Sequence, residues 1–168
     1  MDSELAAADA ESAVGALQEI VGAVRNLRSD YGVDPSKHVD VIVARVPAPV
    51  AAAVAEELEG LLRLGRMSSL EVVETVPAGE PGAHSVLRSG PEVFVPLAGI
   101  VDIEKERGRI QTEIDRLEGL LQGSLRRLED PRFVGQAPSA VVEREREKRR
   151  SFEERLPLLV EKLAALGP

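Results

Sequence analysis

Positions 126–150 hold eight basic residues against five acidic ones: Arg126, Arg127, Arg132, Arg144, Arg146, Lys148, Arg149 and Arg150. A guanidinium presents a planar fork that matches a phosphate and also stacks on bases, so this stretch carries the strongest chemical signal in the chain. Phe133, one of three phenylalanines, sits inside it. It can close the end of a helical hairpin against Leu128, Val134 and Val141, the favoured role, or offer a face to a base. The formal net charge of −8 is unevenly placed: residues 1–100 carry 7 Lys+Arg against 15 Asp+Glu, residues 101–168 carry 14 against 14. Phosphate contacts depend on potential within about a Debye length, so the whole-chain charge is a poor guide to them. Taken alone, the local excess is more simply the charged flank that any heptad carries.

Signals for catalysis are weak. The two histidines, His38 and His84, stand apart in strand-edge or loop settings, where a satisfied or exposed imidazole is the plainer reading than a ligand or base. No Gly-rich phosphate loop of the Walker or dinucleotide type occurs. Asp102 and Glu104 suit a helix N-terminus through its macrodipole, without chemistry. Arg66-Met67-Ser68-Ser69 faintly resembles the Lys-Met-Ser-Lys-Ser loop of class I aminoacyl-tRNA synthetases. It lacks both lysines, no His-Ile-Gly-His element accompanies it, and it reads as a helix-to-strand connection. The sequence therefore predicts no active site and no metal site.

The element that must position the basic cluster is a pair of long helices between Val101 and Leu166. Ile110, Ile114, Leu117, Leu121 and then Leu125 or Leu128 recur at spacings of four and three, and so do Phe152, Leu156, Leu159, Leu163 and Leu166. The break Asp130–Pro138 is short, so the natural partner of each arm is the other, antiparallel. An arm of roughly 28 residues would project ~42 Å. In the expected register Leu128 faces Val141 or Val142, Leu117 faces Phe152 and Ile103 faces Leu166. Ser124 then meets Glu145 and Leu121 meets Arg149, a poorly apolar layer just below the tip. Gly108, Gly119, Gly123 and Pro157 weaken the arms and Pro157 should bend the second, leaving the distal half more mobile.

Residues 1–12 read as frayed, followed by a helix from Ala13 to Asp30 ended by Gly32 and Pro35. Val39–Val46 reads as a strand, Ala51–Leu64 as a helix, Leu70–Val76 as a second strand, and His84–Leu87 and Val93–Val95 as two short ones. The expected fold class is α+β: a small mixed α/β unit at 1–100, then a long antiparallel coiled-coil hairpin at 101–168. Hydrophobic content of 43% permits a core, but with 2% aromatics and no Trp it must be built from Ala, Val and Leu. The absence of Cys and of a long apolar run, with an acidic N-terminus, suits a cytoplasmic protein without disulfides or a membrane span.

Three stretches carry a family resemblance. Leu17–Val21 through Arg25-Asn26-Leu27-Arg28, with Tyr31-Gly32-Val33 and Pro35-Ser36-Lys37, resembles the last helix of the anticodon-binding bundle of valyl-tRNA synthetases. Val93-Phe94-Val95-Pro96-Leu97-Ala98-Gly99-Ile100-Val101-Asp102 is similar to the link into that family's C-terminal coiled coil. Arg132-Phe133-Val134, Ala137-Pro138 and Val141-Val142 look like the tip of that coiled coil. The resemblance implies a C-terminal tRNA-binding portion of a valine–tRNA ligase, leaning on the outer corner of tRNA-Val. Its contacts would be the tip residues Arg126, Arg127, Arg132, Phe133, Arg144, Arg146, Lys148, Arg149 and Arg150. It further implies that the catalytic, editing and most anticodon-binding parts precede residue 1. This chain alone would then be inactive and hold no cofactor, ATP and valine binding the missing catalytic domain. Its expected partners are tRNA and the rest of the synthetase, with no membrane and no DNA. A rival reading is a stand-alone protein-interaction or dimerisation module whose seam pairs between chains. A second is a helical arm like those on ribosome-associated translation ATPases.

Overall fold

The computed structural model describes residues 2–167, and side chains from residue 10 onward. It divides into two compact units, Met1–Ile103 with Ala165–Gly167, and Glu104–Ala164.

The first unit is a four-stranded sheet with three helices. The helix α1 spans Asp2–Asp30, β1 Val39–Ala44, α2 Ala48–Glu56, α3 Leu58–Gly65, β2 Met67–Val73, β3 Gly82–Val86 and β4 Glu92–Pro96. Strand order is β2-β1-β4-β3, with β1 and β2 parallel and both other pairings antiparallel. The parallel pair needs a crossover, which α2 and α3 supply. Against this unit packs α1, touching α2, α3, β3 and β4 and burying Leu17, Ile20, Val24 and Leu27. Val39, Val41, Val43, Val93 and Phe94 are fully buried, so β-branched residues on the two central strands make most of the core. Phe94 is the large side chain among them. Its ring lies over Gly82, where an added Cβ would sit 2.1 Å from it, and stands 4.7 Å from the His84 ring. Only glycine admits so close a ring at that edge of the sheet.

Several expected boundaries move. The first helix begins at Asp2 rather than Ala13, since the Ala-rich stretch before Ala13 has high helix propensity. Val39 opens β1 as expected, but the strand stops at Ala44 because Arg45 turns to φ 56°. The helix expected over 51–64 is two, broken at Glu57 (φ −101°, ψ 16°). It starts earlier because Pro49 lies in the first turn, where its missing N–H costs nothing. Arg66 ends α3 in the left-handed region (φ 52°), so β2 starts at once on buried Met67, three residues before the expected Leu70.

The second unit is the expected helical hairpin, with α4 spanning Ile103–Glu129, α5 Pro131–Gln136 and α6 Ser139–Ala165. Its seam runs Ile110, Ile114, Leu117, Leu121, Ser124 and Leu128 on α4, with Val142, Glu145, Arg149, Phe152, Leu156, Leu159 and Leu163 on α6, all buried or half-buried. Ser124 Oγ donates to the Glu145 carbonyl at 3.3 Å, and Arg155 reaches Glu113 at 3.3 Å, so the arms meet antiparallel in the expected register. The seam thus pairs within the chain, which removes the main support for the dimer reading. The hydrogen bond from Arg116, with that charge and Arg155, holds the Glu113 carboxyl below its ordinary range. Leu166 is 1% exposed and, like Ile103, belongs to the first unit. The break at the tip is itself partly helical: Asp130 caps α5 by accepting from Arg132 N at 2.9 Å, with Pro131 in its first turn.

Gly119 and Gly123 in α4 have open space where a Cβ would stand. Changing both to Ala should stabilise the hairpin by about 1 kcal/mol each, since backbone entropy is the only term altered. Far-UV circular dichroism of thermal unfolding checks this, and an unchanged or lower midpoint would contradict it.

Candidate nucleic-acid interface

At the arm's tip, eight cations and Phe133 are brought together by the α4–α5–α6 turn. Their side chains are all exposed except those of Phe133 and Arg149, which are half-buried. Ion pairing sorts the cations into two groups. Arg127 (3.0 Å) and Lys148 (3.8 Å) flank the carboxylate of Glu145, which is buried in the seam. Arg146 (3.4 Å) and Arg150 (3.2 Å) share Glu143. Arg149 approaches Glu153 at 3.6 Å, beyond hydrogen-bonding range, and its buried Nε has no hydrogen-bond partner. These five charges are largely spent within the arm. The other three are not: among the described residues no ion pair forms at Arg126, Arg132 or Arg144, and Arg126 donates only to the Gln122 carbonyl at 3.3 Å.

Beside these cations the tip is apolar. Val134 is 39% and Val141 42% exposed, and a depression of about 490 Å³ runs between α5 and α6, lined by Val134, Ala137, Ala140 and Val142 with Glu143 and Arg146. The cations are legible in the sequence because they cluster along the chain. The depression is not, since its lining depends on how α5 folds back on the start of α6.

Among the described residues no group of three or more His, Asp or Glu could hold a metal ion. His84 is exposed beside Phe94, and His38 is exposed just before β1. Arg66-Met67-Ser68-Ser69 is the cap of α3 and the start of β2, a helix-to-strand connection as expected. A furrow of about 490 Å³ between α1 and α3 is lined mainly by Val14, Leu17, Val21, Leu61 and Leu64, a lining without a nucleophile. No described helix is long and apolar enough to cross a membrane.

Comparison with known proteins supports the same region of the chain. Residues 102–167 match the family described as the valyl tRNA synthetase tRNA binding arm. The chain is 36% identical over 164 residues to a valine–tRNA ligase of Francisella tularensis, covering 97% of this chain and 17% of the relative. It is 32% identical over 149 residues to the enzyme of Bacteroides fragilis (89% and 16%) and 31% identical over 163 residues to that of Geobacillus stearothermophilus (97% and 18%). It therefore spans about one sixth of the length of these relatives. With arm, hairpin register and nearly whole-chain similarity in agreement, the chain belongs to the valyl-tRNA synthetase family, in the region that includes the arm.

Proposed function

We propose that this chain is the tRNA-binding portion of a cytoplasmic valine–tRNA ligase, and that its arm holds the outer corner of tRNA-Val while the rest of the enzyme works on the acceptor end. The observation that carries this is the trio Arg126, Arg132 and Arg144, which have no carboxylate partner at the end of a hairpin of the arm family. Structured RNA is bound largely through its shape and backbone, so such a tip needs little sequence code. The chain itself holds no cofactor in this reading; ATP and valine bind elsewhere in the longer enzyme, to which this portion is attached. A few phosphate contacts give a weak, salt-sensitive affinity, which attachment to the enzyme converts into an effective one by raising local concentration. Titrating labelled tRNA with the chain at low and then moderate salt tests the proposal. Weak binding that fades with salt is the expected result, and no binding even at low salt would overturn it.

A further inference from the structure

Residues 1–100 are strongly acidic, yet three of their seven basic residues, Arg25, Arg28 and Arg66, meet at one place. Arg28, near the end of α1, is 8% exposed and donates to three backbone carbonyls: Lys37 (2.8 Å), Arg66 (3.1 Å) and Asp34 (3.3 Å). Arg25, one turn earlier, donates from Nε and Nη2 to the Leu64 carbonyl at 3.1 and 2.9 Å. Arg66 itself donates to the Pro35 carbonyl. Arg25, Arg28 and Arg66 line one open concavity of about 600 Å³, with Ser29, Gly32 and Asp34. Lys37 reaches the same place only through its backbone carbonyl; its ammonium donates to the Ile100 carbonyl at 3.1 Å.

Part of this charge has a structural purpose. The last turns of α1 and α3 end here, and each helix C-terminus carries about half a negative charge that a cation satisfies. Asp30 and Asp34 add two carboxylates, but Asp34 Oδ1 is occupied by the backbone N–H and hydroxyl of Ser36 at 2.8 and 2.6 Å. Counted in full, two carboxylates and two half-charges match the three guanidiniums, so what the place offers an anion is N–H donors left over from the carbonyls rather than net charge. Burial, and then the neighbouring Arg66 charge, lower the Arg28 guanidinium below its ordinary value. Arg25 and Arg66 are exposed, and each keeps N–H donors beyond those given to the carbonyls.

We propose that Arg25 and Arg66, backed by the buried Arg28, form a second RNA-phosphate site, outside the arm. The inference rests on the reading that this chain meets tRNA. The ligand is the phosphodiester backbone: the concavity is open, its donors are guanidinium forks, and it has no aromatic platform for a base.

The test uses the whole chain and labelled tRNA. Arg25→Gln with Arg66→Gln should lower affinity severalfold at low salt and reduce the slope of log affinity against log salt by about one to two units. Arg25→Lys with Arg66→Lys should retain the slope, because a phosphate accepts a point charge. In the unaltered chain, the Nε–H resonances of Arg25 and Arg66 should shift on adding tRNA, a readout that requires no variant to fold. An unchanged slope in the Gln variant, unmoved Arg resonances, or equal loss in the Lys and Gln variants would overturn the site. If the arm-tip variant still loses binding in that case, the arm reading stands. No binding by the unaltered chain overturns both.

Discussion

Changing Arg126, Arg132 and Arg144 together to Ala should cut tRNA affinity far more than changing Arg127, Arg146 and Arg150, although each set removes the same net charge. The first three have no carboxylate partner in the arm. A phosphate that meets them gains three charge-assisted contacts and displaces nothing. Arg127, Arg146 and Arg150 already pair with Glu145 and Glu143. A phosphate must compete there with a carboxylate that stays nearby, so the net gain is smaller. Each lost phosphate contact lowers the salt slope by about one, so the first variant should lose about three units of slope and the second about one. Measuring binding at several salt concentrations, with far-UV circular dichroism to confirm the hairpin, decides the matter. Equal losses would mean that bulk charge, not pairing, sets the contact.

The largest effect on stability is expected at Phe94. Its side chain is fully buried, and its ring takes up the space over Gly82 that a Cβ would need. Phe94→Ala should destabilise the first unit by about 3–5 kcal/mol, through lost transfer energy and a residual cavity. For a domain of about this size that corresponds to a fall in midpoint of more than about 12 °C. The single tyrosine, Tyr31, is buried at the end of α1, so its fluorescence follows this unit in a chain without Trp. A shift of only a degree or two would show that the sheet closes over the gap. Gly82→Ala should also destabilise, for the opposite reason: the new methyl and the ring claim the same space.

The hairpin was legible because heptad spacing is a local property: each apolar position is set by its distance along one helix. The antiparallel register followed from the short break, and Ser124 does face Glu145. The basic tip was legible for the same reason, since its cations are neighbours in the chain. The α2–α3 break was not, because Val54, Leu58 and Leu61 suit one continuous helix and only packing places the kink at Glu57. After Leu121 the half-buried Leu128 takes the next apolar place, and Ser124 between them is buried with its hydroxyl bonding across the arms, in the register that puts it opposite Glu145.

What the sequence determined by itself is therefore the α+β class, the long hairpin with its register, the charge at its tip and the family. All of these are periodic or contiguous along the chain. The tertiary structure decided which tip arginines are left without a partner, since ion pairs such as Arg127 with Glu145 join residues 18 apart across the turn. It decided the strand order β2-β1-β4-β3, which a run of β-branched residues does not encode. It also brought Arg25, Arg28 and Arg66 into one concavity from positions about forty residues apart. Coulomb energy and hydrogen bonding depend on separation in space, and only the folded chain sets that.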